Sequence, residues 1–119
     1  MADSQASKRQ VGEVLEALEQ VIAARKGGDA SRSYTAKLLA GGAAAAGAKV
    51  TEEAEELVRA AADEADDRVV AEAADLVYHT LVLLAARDVT LARVEDELVR
   101  RFGTSGLAEK AARTGGGAT

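Results

Sequence analysis

The sequence predicts an all-α domain, and three observations carry that reading. Proline is absent. The helix breakers are glycines gathered in pairs and clusters. Apolar residues recur at spacings of three and four, and no alternating stretch is long enough for a strand. The expected arrangement is an antiparallel helical bundle completed by a second copy of the chain. A chain of 119 residues, rich in alanine and with only two Tyr and one Phe, builds a core of little bulk, and self-association would add to it.

The elements follow from the breakers in order. Residues 1–10 are expected to be a disordered N-terminal segment, residues 11–113 a single domain, and residues 114–119 a disordered glycine-rich tail. The first helix is expected from Val11 to Lys26, with Val11, Val14, Leu15, Leu18, Val21 and Ile22 on its apolar face, and Gly27 and Gly28 end it. Asp29 to Ser33 reads as a loop. A short helical piece from Tyr34 to Ala40 carries Lys37 outward, and Gly41 and Gly42 interrupt it. The second long helix is expected from Ala43 to Ala62, followed by an acidic turn at Asp63 to Asp67 and a third helix from Arg68 to Arg87. Thr90 has the chemistry of an N-cap for a helix reaching Arg101, which Gly103 stops. A last short helix is expected from Ser105 to Arg113.

Composition removes several classes of function. A formal net charge of −5 argues against nucleic-acid binding through a basic surface. With no cysteine there is no disulfide, no thiolate catalysis and no cysteine-type zinc site. The N-terminus MADSQASKRQ has no apolar signal core, and charges interrupt every apolar run of membrane-spanning length. The expectation is a cytoplasmic protein with no membrane and no nucleic-acid partner.

The chemistry lies in the carboxylates. Within VVAEAADLVYHTLVLLAA the strongly polar members Glu72, Asp75 and His79 recur at i, i+3 and i+7. At about 100° per residue they share an arc of roughly 60° on an otherwise apolar helix. Two carboxylates there require cations, a wet cleft or a metal. Lys49, Glu52 and Glu56 repeat the spacing one helix earlier, with Glu53 beside them. Glu53 with Glu56, and Glu72 with Asp75, are i, i+3 pairs that can each aim two oxygens at one spot, and facing helices would bring the four together. Such a set suits Mg2+, with Mn2+ as the other hard cation of this type, bound jointly by carboxylates and substrate phosphates. The reaction implied is metal-assisted hydrolysis of a phosphoanhydride, with Glu52 able to orient or deprotonate the attacking water. The competing reading of the second helix is a solvated acidic face, and that of His79 is a partly buried histidine hydrogen-bonded to Asp75 across one turn. Arg32, Ser33, Tyr34, Thr35 and Lys37 form a cluster of donors at a helix start, suited to an anion or, more simply, to an ordinary capped terminus.

These segments together resemble a known family. Ser33-Tyr34-Thr35-Ala36-Lys37-Leu38-Leu39, Lys49-Val50-Thr51-Glu52-Glu53-Ala54-Glu55-Glu56, Glu72-Ala73-Ala74-Asp75-Leu76-Val77-Tyr78-His79 and the tail Ser105-Gly106-Leu107 follow the order seen in phosphoribosyl-ATP pyrophosphohydrolases. That family is related to the MazG-like all-α NTP pyrophosphohydrolases, whose Glu-x-x-Glu and Glu-x-x-Asp signature is matched here by Glu53, Glu56, Glu72 and Asp75. The resemblance implies magnesium-dependent hydrolysis of phosphoribosyl-ATP to phosphoribosyl-AMP and pyrophosphate, the second step of histidine biosynthesis, by a homodimer. It also implies that the four matched carboxylates hold the metal and that Glu52 and Lys49 share the site. Lys37 with Ser33, Tyr34 and Thr35 would approach phosphate or nucleotide. The chain departs from the family's common pattern at Gly41, Ala45 and Ala48, where lysines are frequent, and at Thr51, where glycine is; none of these is a proposed ligand. Two alternatives remain at this level: a house-cleaning (d)NTP pyrophosphatase and a non-catalytic helical interaction module.

Overall fold

The computed structural model describes residues 12–103, and every regular element among them is an α-helix. The helices are α1 (Glu13–Arg25), α2 (Tyr34–Ala40), α3 (Gly42–Asp63), α4 (Asp66–Ala86) and α5 (Leu91–Phe102). The expected terminal segments and the helix expected from Ser105 to Arg113 lie outside the described residues. Two compact units divide at Val89 and Thr90, the first holding α1 to α4 and the second holding α5.

The first unit is organised around α3 and α4, which make by far its most extensive contact. They are joined by Glu64 and Ala65 alone, a connection short enough to force an antiparallel hairpin. The acidic turn expected at Asp63 to Asp67 is therefore narrower than its composition suggests. Asp63 completes α3, while Asp66 and Asp67 form the first turn of α4, where negative charge complements the helix dipole. The inner stripe of α3 is Ala46, Glu53 and Ala60, spaced by sevens and each at most 6% exposed. Small residues at the ends of that stripe let the helices approach closely, and a carboxylate occupies its centre.

α1 and α2 pack on this hairpin. Of the apolar face expected for α1, Ile22 is buried, whereas Val14 and Val21 are half exposed. Each lies about 80–100° around the helix from Ile22, off the line of Leu15, Leu18 and Ile22; Val11 is outside the described residues. Lys26 ties the end of α1 to the end of α4, donating to the Ala85 carbonyl at 2.9 Å and to Asp88 Oδ1 at 2.6 Å. α2 begins with Ser33 as N-cap, its hydroxyl accepting from the Ala36 N–H at 3.1 Å. The break between α2 and α3 needs both glycines. A Cβ on Gly41 would stand 2.6 Å from the Ala45 Cβ, and Gly42 has φ +71°, a left-handed conformation.

α4 departs from expectation in one respect. Its apolar character suggested enclosure, yet within one chain only Glu72, His79, Leu81 and Val82 are buried, and Val70 and Val77 face outward. The two other helices of the unit leave that side of α4 uncovered. By length and composition it could cross a membrane, but it lies along α3 with a carboxylate and an imidazole among its buried side chains.

The described part of the second unit is one amphipathic helix, α5. Thr90 caps it as expected, accepting from the Arg93 N–H at 3.3 Å, and Gly103 ends it at φ +82°. Glu97 accepts from Arg100 and Arg101 on its polar side.

Candidate metal and nucleotide site

The α3–α4 hairpin places Glu53 against Glu72 and Asp75. One carboxylate oxygen from each lies within 4.8 Å of the others, and a second such group joins Glu52, Glu53 and Glu56. The four expected ligands therefore meet as two overlapping triads with Glu53 in both, rather than as one ring. Glu52, expected to lie near the cation, has a carboxylate oxygen within 4.8 Å of those of Glu53 and Glu56.

Burial grades across this cluster. Glu53 and Glu72 are buried, Glu56 is partly covered, and Glu52 and Asp75 are exposed. Glu53 Oε2 is fully buried and has no hydrogen-bond partner among the described residues. Burial first, and then Glu56 and Asp75, push the Glu53 carboxyl above its ordinary range, against the opposing pull of Lys49. An orphaned buried carboxylate oxygen with further carboxylates around it is unfavourable alone and suited to a hard divalent cation. The donor set thus fits Mg2+ or Mn2+ by its chemistry.

Two cations of the chain border the cluster. Lys49 Nζ lies 3.0 Å from Glu52 Oε1 and 3.6 Å from Glu53 Oε1. Its hydrogen bond to Glu52 raises its pKa, so it remains charged. Arg68 Nη2 donates to Glu72 Oε2 at 2.7 Å, while its Nε reaches Glu64 Oε1 at 3.4 Å. The sequence reading passed over Arg68, although its spacing of four from both Glu64 and Glu72 was the signal for it.

The expected nucleotide-facing residues occupy the start of α2. Ser33 is committed to its capping bond. The Tyr34 hydroxyl bonds His79 Nε2 at 3.0 Å, and Thr35 Oγ1 bonds the Tyr78 hydroxyl. Lys37 is exposed, as expected. Burial raises the Tyr34 pKa, Lys49 opposes it, and Tyr78, Glu53 and Glu52 add to it, so this phenol stays protonated beside the carboxylates. His79 does bond Asp75 across one turn, but through the Asp75 backbone carbonyl, 2.8 Å from Nδ1, leaving that carboxylate unengaged by the imidazole. Tyr78 was not singled out by sequence reasoning, since no local spacing signals its contact with Thr35, 43 positions away.

Known proteins resemble this chain over most of its length. Residues 15–102 match the family model described as phosphoribosyl-ATP pyrophosphohydrolase. The chain is 58% identical over 101 residues to a protein of Caulobacter sp. (strain K31) named phosphoribosyl-ATP pyrophosphatase, spanning 85% of this chain and 94% of that one. Proteins of the same name from Cereibacter sphaeroides and Trichlorobacter lovleyi are 55% and 53% identical over 100 residues, covering 84% of this chain and 97% and 93% of theirs. Matches of this extent, over a helical fold that gathers the two carboxylate pairs, place the chain in the phosphoribosyl-ATP pyrophosphohydrolase family.

Proposed function

We infer that this protein hydrolyses phosphoribosyl-ATP to phosphoribosyl-AMP and pyrophosphate in histidine biosynthesis, acting in the cytoplasm. Water adds to phosphorus, the α–β phosphoanhydride bond breaks, and pyrophosphate leaves. The observation that carries the site assignment is Glu53, a buried carboxylate with an orphaned oxygen that belongs to both acidic triads. Glu53, Glu56, Glu72 and Asp75 would hold Mg2+, or Mn2+ in its place, which supplies neutralisation of phosphate charge and acidification of water when bound. Glu52, exposed at the rim, takes the proton of the attacking water, and Lys49 holds its carboxylate in place. Tyr34, Thr35 and Lys37, with the backbone around Ser33, bind the nucleotide's phosphates from α2.

The working unit in this reading is a homodimer. Support comes from the uncovered apolar side of α4 at Val70 and Val77, together with a core whose only large, completely buried side chains among the described residues are Ile22 and Val82. Sedimentation velocity at micromolar concentration should give twice the chain mass, and a monomer would remove the dimer from the proposal.

The decisive experiment measures pyrophosphate release from phosphoribosyl-ATP with and without magnesium, beside ATP, dATP and dUTP, for the wild type and for Glu72→Gln and Asp75→Asn. Magnesium-dependent turnover of phosphoribosyl-ATP, lost in both variants, is expected. Comparable turnover of the free triphosphates would assign a house-cleaning role instead, and no turnover of any substrate would reject catalysis.

A further inference from the structure

His79 is buried, is the single histidine of the chain, and has no part in the reaction as described above. We propose that it is a positioning residue, which by holding the Tyr34 hydroxyl fixes the nucleotide-facing end of α2 against the carboxylate face of α4. The assignment rests on the functional reading above for what Tyr34 touches, and on geometry for the rest.

The hydrogen-bond directions follow from the partners. A peptide carbonyl only accepts, so His79 Nδ1, 2.8 Å from the Asp75 oxygen, carries the proton. Nε2 then has a free lone pair, and the Tyr34 hydroxyl 3.0 Å away donates to it. The imidazole is thereby anchored on its own helix one turn back and presents an acceptor to a different element. Tyr78, its neighbour in sequence, bonds Thr35, the neighbour of Tyr34. Two consecutive residues of α2 are thus clasped by two consecutive residues of α4. The rings support the clasp: His79 meets Tyr78 edge-on at 4.8 Å and Tyr34 edge-on at 5.9 Å, and the two tyrosines stack at 6.5 Å.

Tyr34 itself is 51% exposed. Packing therefore constrains it on one side only, and the bond to a buried partner determines where its open side points. The Tyr34 hydroxyl stands within the electrostatic reach of Lys49, Glu52 and Glu53. A side chain that is exposed, aimed by a buried histidine and set beside the acidic cluster is placed to meet a ligand arriving there.

The test uses asparagine and glutamine as positional mimics. The Asn amide nitrogen falls near Nδ1 of histidine and the Gln amide near Nε2, so His79→Asn keeps the tie to the Asp75 carbonyl but drops Tyr34, whereas His79→Gln can still reach it. In steady-state assays with phosphoribosyl-ATP and magnesium, His79→Asn and Tyr34→Phe should each raise KM by about 3–10-fold, with the loss carried mainly by KM rather than kcat. His79→Gln should recover part of it, and the double variant His79→Asn/Tyr34→Phe should be no worse than either alone. In the folded wild type, the nitrogen-15 resonances of the single histidine should report the Nδ1–H tautomer, and Tyr34→Phe should move the Nε2 resonance. Additive losses, an unrescued Gln variant, or an Nε2 resonance indifferent to Tyr34→Phe would each overturn the assignment while leaving the functional reading intact. A wild type that does not turn over phosphoribosyl-ATP would overturn both.

Discussion

Glu53 on α3 and Glu97 on α5 are the same side chain in opposite circumstances. Glu97 is exposed enough to be solvated, accepts from two arginines at 2.5–2.9 Å, and is held below the ordinary carboxylate range by Arg100 and then Arg101. Glu53 is 6% exposed, has one oxygen without a hydrogen-bond partner among the described residues, and is pushed above that range chiefly by burial. Both lie in acidic, helix-forming sequence. The difference teaches that negative charge alone does not mark a site; a carboxylate held out of water without adequate pairing does, because folding retains it at a cost.

The contrast can be broken most forcefully through activity. Glu53→Gln should lower kcat for phosphoribosyl-ATP by about 10²–10³-fold, the scale of losing a principal group that stabilises transition-state charge, while Glu97→Gln should leave turnover near that of the wild type. A Glu53→Gln enzyme of normal activity would end the case for the site.

Stability should move the other way. Because the folded state binds the Glu53 proton more tightly than the unfolded chain does, its contribution is favourable in acid and is lost as pH rises from 4.5 through the raised folded value. Metal-free Glu53→Gln should therefore melt higher than the wild type at neutral pH, by up to about 1–3 kcal/mol if the orphaned oxygen accounts for the whole penalty. Added magnesium should raise the melting temperature of the wild type and not of the variant. For Glu97 the sign reverses: its stabilisation is present above 4.5 and disappears as acid takes pH down through the lowered value.

A smaller effect separates Arg68 from the ligands. Arg68→Met should cost about 1 kcal/mol in metal-free protein, discounted for a half-exposed arginine, and should tighten magnesium binding by removing its competitor for Glu72. Unchanged magnesium affinity by calorimetry would mean that Arg68 does not compete. Least of all should come from Glu97→Gln, whose melting shift should vanish on raising salt.

The legible part of this molecule was the local part. Glycine pairs and helical spacing marked the five described helices to within three residues, and the Thr90 cap was visible as a polar residue before an apolar period. The i, i+3 carboxylate pairs were visible for the same reason. What spacing could not supply was which member of EEAEE turns inward. Glu53 does so because it falls seven residues from both Ala46 and Ala60, a register fixed only when α4 is laid against α3. Tyr34 with His79 and Thr35 with Tyr78 lay further beyond reach, since each joins residues more than 40 positions apart. Val14 and Val21 misled in the opposite direction: they fit the helical period of α1, but its contact with the hairpin is narrower than its apolar stripe.

Ala46 and Ala60, buried at the two ends of the inner face of α3, act as spacers whose thickness is one methyl group. The distance from Glu53 to Glu72 and Asp75 is then set by residues that have no chemistry of their own. Leucine at either position would wedge the hairpin apart, and the carboxylates of α3 and α4 would be separated through carpentry rather than through charge.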